Sequence, residues 1–207
     1  MFLHRDPLVL APVLVAAPAE APVSLAEAKA HLRVEHDEDD TLLAVMIDAA
    51  TQRLDGRTGI LRRCLMRQTW RVDLSGFPRS GIIPLPVFLL PAVSITVAYT
   101  DAGGTVVDLA AGDAALLGTV TGPVVRRSAG IAWPLTAVAD DAVRITCVCG
   151  SATAADVPAP IRSAILLMVG DLYRNRETTG QGSATLGAIP MSTTVEALLA
   201  PYRRGLV

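Results

Sequence analysis

The sequence is poor in charge, in aromatic residues and in cysteine. Only 18% of its 207 residues are charged and 4% are aromatic, and Lys29 is the sole lysine. The formal net charge of −2 argues against a dedicated nucleic-acid binder, which would carry a basic excess to displace counterions from phosphates. Cys64, Cys147 and Cys149 suggest neither a disulfide framework nor a zinc site. We therefore expect a chain suited to a reducing cytoplasm, with Cys147 and Cys149 on the core-facing side of one strand.

Aliphatic residues are what the sequence has in excess. Apolar residues make up 51% of the chain, and the mean hydropathy of +0.44 is high for a soluble protein. This excess is either buried or faces partners. The longest uncharged run, residues 80–100, contains three prolines and so does not predict a membrane-spanning helix. Asp6 and the prolines at 7, 12 and 18 interrupt a segment that resembles a signal peptide, and we expect an extended arm over residues 1–22.

Helical spacing of apolar residues appears on both sides of the middle third of the chain. Ser24 and Glu27 form a capping box that predicts the start of a first helix. A second helix is predicted to begin near Thr41, after the acidic stretch Asp37–Asp40, whose charges suit a helix N-terminus. The strongest pattern predicts a long helix from Ile161 to about Arg176.

Alternating apolar and polar residues replace the helical spacing in the middle third. This period of two predicts strands separated by turns rich in glycine and proline. The predicted strands cover residues 64–74, 93–99, 105–109, 124–127 and 142–149. We therefore expect a mostly antiparallel β unit.

These elements together predict an α+β fold with a helical-bundle core. The core would consist of an N-terminal helical hairpin and the long C-terminal helix, with the mostly antiparallel β unit inserted between them. The predicted segments are an extended arm (1–22), the hairpin (23–63), the β unit (64–150), the long core helix with a mobile loop (151–193), and a C-terminal helix and tail (194–207).

No group of residues in the sequence predicts catalysis. His31, His36 and the acidic stretch are the densest cluster of metal-ligand types, but a predicted helix end separates the histidines, and the spacing of a calcium loop is missing. Cys64 has no histidine nearby to act as a base. Neither a phosphate-binding loop nor a serine-hydrolase elbow is present. We expect no catalytic residue, no cofactor and no metal.

Several short sequence motifs occur one after another between about residues 22 and 204. They lie at residues 23–34, 37–40, 56–59, 68–70, 85–86, 157–177 and 195–203. In this order they resemble the head-tail connector (adaptor) proteins of tailed bacteriophages, the gp6-like family that also occurs in gene transfer agents.

The resemblance implies a structural role in a phage or phage-like particle. Such subunits form a ring of about twelve copies beneath the portal protein, join the DNA-filled head to the stopper or tail, and leave a channel for DNA without sequence-specific binding. The C-terminal segment would dock on the portal through Leu198, Leu199, Tyr202, Arg203 and Arg204. The particle would be assembled in the bacterial cytoplasm, with neither a cofactor nor a membrane involved.

Two other functions stay open at the level of sequence. A tail-side neck protein, either a stopper or a tail terminator, would also form a ring, and a small enzyme could use the β unit. The apolar residues that no predicted element buries lie at 8–15, 87–91 and 198–199. We expect these segments to contact neighbouring subunits or neck partners.

Overall fold

A computed structural model describes residues 6–175 and 192–203. This part of the chain forms two compact units. The sheet unit contains residues 6–19 and 67–150, and the helical unit contains residues 20–66, 151–175 and 192–203.

The regular elements are divided between the two units. In the described part of the chain, the helical unit has four α-helices: α1 (Leu25–Leu32), α2 (Asp40–Leu54), α3 (Ala159–Arg174) and α4 (Thr193–Leu199). The described strands are β1 (Val13–Ala16), β2 (Gln68–Leu74), β3 (Ile82–Pro84), β4 (Ala92–Thr100), β5 (Val106–Asp108), β6 (Ala114–Thr119), β7 (Gly122–Arg127) and β8 (Val143–Cys149).

The strands form two antiparallel sheets. One has five strands in the order β1-β2-β8-β4-β5, and the other has three in the order β3-β7-β6. At the centre of the larger sheet, Ile145 of β8 lies opposite Val72 of β2 and Val97 of β4. Ile145, Cys147 and Cys149 alternate along β8 and are fully buried, as the period of two predicts.

The helical unit is built around aliphatic side chains from all four helices. Leu43 and Leu54 of α2, Ile161 and Ile165 of α3, and Leu199 of α4 are fully buried in one cluster. Burying a side chain of this size contributes about 1.5–3 kcal/mol relative to leaving it exposed. The packing between helices therefore stabilises this unit far more than the propensity of any single helix.

The predicted helical-bundle core, made from an N-terminal hairpin and a long C-terminal helix, is wrong. The fold is a mixed α+β fold in which 30% of the described residues are helical and 27% are in strands, and its strands form two antiparallel sheets. The long helix α3 is followed by α4, whose Val195 and Leu199 are fully buried. The core is therefore not made from a hairpin and a long C-terminal helix, because strand pairing involves about as much of the chain as helix packing.

The predicted arm contributes a strand to the larger sheet. Leu10 N donates to Asp73 O at 2.8 Å, and Ser75 N donates to Leu8 O at 3.0 Å. The strand β1 is exposed along its whole length, so its residues show no alternation from which a strand could be predicted. The strands β3 and β6 were also not predicted, and the predicted mobile loop at 177–190 lies outside the described residues.

Candidate functional site

The predicted docking segment begins with helix α4, which is anchored in the helical core. The Ser192 side chain accepts a hydrogen bond from Val195 N at 3.3 Å and so caps the helix. Val195 and Leu199 are fully buried, while Leu198 is partly buried against the same cluster. Leu199 therefore holds the helix in place and does not offer a surface to a partner.

The residues after α4 are more accessible. Tyr202 packs partly against the helical core and leaves part of its side chain exposed, and Arg203 is exposed. Arg203 N donates to Leu199 O at 3.2 Å, which continues the helical turn. Arg204 lies outside the described residues. The structure thus places Tyr202 and Arg203 together at the end of an anchored element, where a partner could contact both.

The acidic stretch Asp37–Asp40 is organised by the Lys29 ammonium and the Tyr173 hydroxyl. Lys29 Nζ lies 2.6 Å from Asp37 Oδ1 and 2.7 Å from Asp40 Oδ1. These bonds raise the pKa of Lys29, and the bond from Lys29 lowers the pKa of Asp37. Asp39, the residue before α2, makes no capping hydrogen bond through its side chain, but it accepts a hydrogen bond from Tyr173 Oη at 2.6 Å. The sole lysine of the chain is therefore engaged in a structural ion-pair cluster.

A second charged surface lies beyond the C-terminal end of α2. We call residues 53–63 the arginine loop, because four of these residues are arginines and only Asp55 is acidic. Arg53, Arg57 and Arg62 are exposed, and none of the three takes part in an ion pair with any other described residue. The sequence analysis did not identify this surface, although four arginines within residues 53–63 could have indicated it.

Backbone hydrogen bonds hold the arginine loop in one shape. Gly56 N donates to Arg63 O at 2.8 Å, and Ile60 N donates to Arg53 O at 3.0 Å. Leu65 N donates to the Asp55 side chain at 2.6 Å. The loop therefore presents its arginines from a fixed scaffold.

The cysteines are placed for packing. All three are thiols outside any disulfide, and all three are fully buried. Burial raises the pKa of the Cys147 thiol to about 12, with a smaller contribution from neighbouring Cys149. A thiol with this pKa is not a nucleophile near neutral pH.

His36 and the acidic stretch do not form a metal site in the structure. His36 Nδ1 pairs with Glu38 at 2.9 Å on the surface. Across residues 6–175 and 192–203, no three histidine, cysteine, aspartate or glutamate side chains are arranged so that they could hold a metal ion. The same residues contain no helix long and apolar enough to cross a membrane.

An open cavity of about 380 Å³ lies beside the start of α1 in the helical unit. Its walls include Val23, Leu25 and Ile47, together with the carboxylates of Glu27 and Asp48. Glu27 is already bonded to Ser24 and paired with Arg162. Neither histidine nor cysteine lines this cavity, so its described walls offer neither an imidazole base nor a thiol nucleophile.

Most of the exposed large apolar side chains among the described residues lie in the sheet unit. Those of the N-terminal segment are Leu8, Val9, Val13, Leu14 and Val15, as the sequence led us to expect. The predicted contact segment 87–91 differs, because Phe88 and Leu89 are buried. Other exposed apolar side chains, which the sequence analysis missed, lie in turns and loops between strands: Val120, Leu135 and Val138. Leu135 directly follows Pro134, which was the available signal for that residue.

Sequence comparison connects the first part of the helical unit, and the start of the sheet unit, to a known family. Residues 22–78 match the family described as phage gp6-like head-tail connector protein. The match covers α1, α2 and the arginine loop, and it confirms the resemblance identified from the sequence. No curated protein sequence matches the chain.

Solved structures with similar folds come from the necks of gene transfer agent (GTA) particles. A chain from the neck of an empty GTA particle, computed with C6 symmetry, has a TM-score of 0.72 at 20% identity. A chain from the virion of a native GTA particle has a TM-score of 0.71 at 20% identity. A chain from the neck of a native GTA particle, computed with C12 symmetry, has a TM-score of 0.70 at 21% identity. Each likeness covers 96% of this chain and 97% of the other.

Proposed function

We propose that this chain, which carries the gp6-like match over residues 22–78, is a structural head-tail connector subunit. It would lie in the neck of a phage or gene transfer agent particle, assembled in the bacterial cytoplasm. The observation that carries the proposal is the likeness of fold to GTA neck chains along 96% of the sequence. The family and these neck chains are structural, and the described residues supply no catalytic constellation, so we assign no enzymatic activity.

In this function the subunits form a ring around a channel for DNA. The similar chains come from particles with C6 or C12 symmetry, which supports a ring, and we propose about twelve copies. The net charge of −2 suits a channel through which DNA passes, because many phosphate contacts would hold the DNA tightly. The ring would join the portal protein of the filled head to the stopper or tail.

We assign portal docking to the C-terminal segment. Tyr202 and Arg203 form the accessible part, with Arg204 following them in the sequence. Tyrosine and arginine are enriched among the residues that dominate binding energy at interfaces. Leu199, and in part Leu198, would contribute by fixing α4 on the helical core.

Substitution of the accessible residues tests this assignment. We expect Tyr202→Ala combined with Arg203→Ala to abolish binding to the portal protein in a co-purification assay, while the subunit stays folded by circular dichroism. Deletion of the whole of α4 is a poorer test, because it would also remove Val195 and Leu199 from the core.

The matched control is Arg126→Ala, which removes an exposed arginine from β7 in the sheet unit and should leave portal binding unchanged. Undiminished portal binding by the double variant would contradict the docking assignment. The assignment would be equally contradicted if the control lost binding to the same extent.

Position along the neck separates the connector from the alternative tail-side functions. Cryo-electron microscopy of particles should place this chain directly beneath the portal. Density at the tail side of the neck would instead identify a stopper or terminator. A screen of the purified chain for hydrolase turnover tests the enzymatic alternative, and robust turnover would count against a purely structural role.

A further inference from the structure

Helix α2 separates two surfaces of opposite charge. The acidic stretch Asp37–Asp40 precedes and enters its N-terminal end, and the arginine loop begins in its last turn. A helix of 15 residues is about 22 Å long at 1.5 Å per residue. The Debye length at physiological ionic strength is about 8 Å, so these surfaces do not neutralise each other within one chain.

The helix dipole explains only part of this arrangement. It favours acidic groups in the first turn and basic groups in the last turn, and its effect falls off within those turns. Asp40 and Arg53 lie inside that range. Glu35, Arg57 and Arg62 lie outside α2, so their placement needs another cause.

The arginine loop has the properties of a preformed binding surface. Its backbone is fixed by hydrogen bonds, and Gly59 lies so close to the backbone of Leu54 and Asp55 that it leaves no room for a Cβ atom. Arg57 and Arg62 are exposed without an ion-pair partner among the described residues. A fixed loop loses little conformational entropy on binding, which favours association.

The acidic stretch is equally fixed and remains accessible. Lys29 holds Asp37 and Asp40, yet the side chains of Asp37 and Glu38 stay 87% and 82% exposed. Glu35 is also exposed. Residues 35–40 carry five carboxylates, and Lys29 pairs with only two of them, so the surface keeps a net negative charge.

We propose that, in the ring, the arginine loop of one copy binds Glu35 and the acidic stretch of the next copy. This inference rests on the proposed ring. A ring closed by rotation is built from head-to-tail contacts, so each subunit must carry two different and mutually complementary surfaces. The two ends of α2 meet that requirement within a single chain, and opposite charge fixes the register and suppresses wrong pairings.

Charge reversal in the full-length chain tests the contact. We expect Arg57→Glu combined with Arg62→Glu to abolish ring formation, measured by native mass spectrometry of assembled necks. Glu35→Arg combined with Glu38→Arg should do the same, and these two carboxylates make no contact with Lys29. All four substitutions together restore complementary charge at every interface and should restore the ring.

The control variant carries Arg126→Glu and Asp108→Arg, two exposed charges of the sheet unit, and should assemble normally. A second readout uses cysteines, because the three natural ones are buried. Arg57→Cys together with Glu38→Cys should give, on oxidation, a ladder of covalent multimers up to the ring size. Either cysteine alone should give none.

The outcomes separate this contact from the proposed function. An unsubstituted chain absent from any ring would overturn the connector proposal itself. A normal ring in both charge-reversed variants, or no rescue by the fourfold variant, would overturn only the contact. Covalent dimers from one of the single-cysteine variants would also overturn it, since they indicate that the same surface pairs with itself.

Discussion

Glu27 connects the start of α1 to α3 through its carboxylate. It accepts from Ser24 N at 2.8 Å, and the Arg162 guanidinium pairs with it. The hydrogen bond from Ser24 is the largest cause that lowers the pKa of Glu27, and the charge of Arg162 adds to it. One residue therefore serves both a local capping box and a contact between helices distant in sequence.

The pKa of Glu27 predicts a pH dependence of stability. A carboxyl whose pKa is lower in the folded state stabilises the fold above its unfolded-state pKa, and this contribution is lost as the pH falls through the folded-state value. That window lies below the ordinary value of 4.5. We expect Glu27→Gln to lower the free energy of unfolding at pH 7 and to lose less stability than the unsubstituted chain on acidification to pH 3.

Urea unfolding at the two pH values measures this difference. Glu20→Gln is the matched control, because Glu20 is an exposed carboxylate outside α1, and it should behave like the unsubstituted chain. Equal acid sensitivity of Glu27→Gln and the unsubstituted chain would show that the carboxylate contributes nothing through its charge.

At the scale of elements, the turn after α2 depends on a glycine. A Cβ atom at Gly59 would lie 2.3 Å from Asp55 O and 2.4 Å from Leu54 O. Both are backbone atoms, so the clash cannot be relieved by a side-chain rotation. The close approach fixes the path of the arginine loop.

We expect Gly59→Ala to destabilise the helical unit by on the order of 1–3 kcal/mol, as overpacking of a closely packed site does. Gly118→Ala in β6 is the control, because nothing lies within 4 Å of its Cβ position. Thermal unfolding of the two variants measures the difference. A Gly59→Ala chain as stable as the Gly118→Ala chain would be incompatible with the described turn.

At the scale of the whole molecule, the chain leaves the helical unit and returns to it at one place. Ser151 N donates to Leu65 O at 2.9 Å, and Met66 and Ser151 form a β-bridge. The two ends of the intervening segment are therefore neighbours. We propose, as the sequence segmentation suggested, that the sheet-forming segment is an insertion that the helical unit does not need for folding.

Excision of residues 67–150 tests this proposal. A short glycine-serine linker between Met66 and Ser151 should leave a helical unit that unfolds cooperatively, because its hydrophobic cluster contains only residues outside the excised segment. Circular dichroism with urea unfolding measures this. A chain without a cooperative transition would show that the helical unit depends on the excised strands.

Local patterns in the sequence predicted most regular elements. The Ser24 capping box appeared as expected, and the apolar period of α3 and the alternation of β8 were both correct. Each of these features depends on residues that are a few positions apart, so it can be recognised from a short stretch of sequence. The strand β1 gave no such signal, because all four of its residues are exposed and its sequence shows no alternation of apolar and polar residues.

The sequence by itself determined the capping box and the helical periods, since each depends on residues close together in the chain. It also determined the connector resemblance, which depends on short motifs and their order along the chain. Tertiary structure decided that strands contain nearly as many residues as helices do, and that Leu199 is buried. It also decided that Lys29 is held by the acidic stretch, and that oppositely charged surfaces lie at the two ends of α2. Burial and ion pairing depend on which distant residues the fold brings together, and that information is not contained in any local pattern.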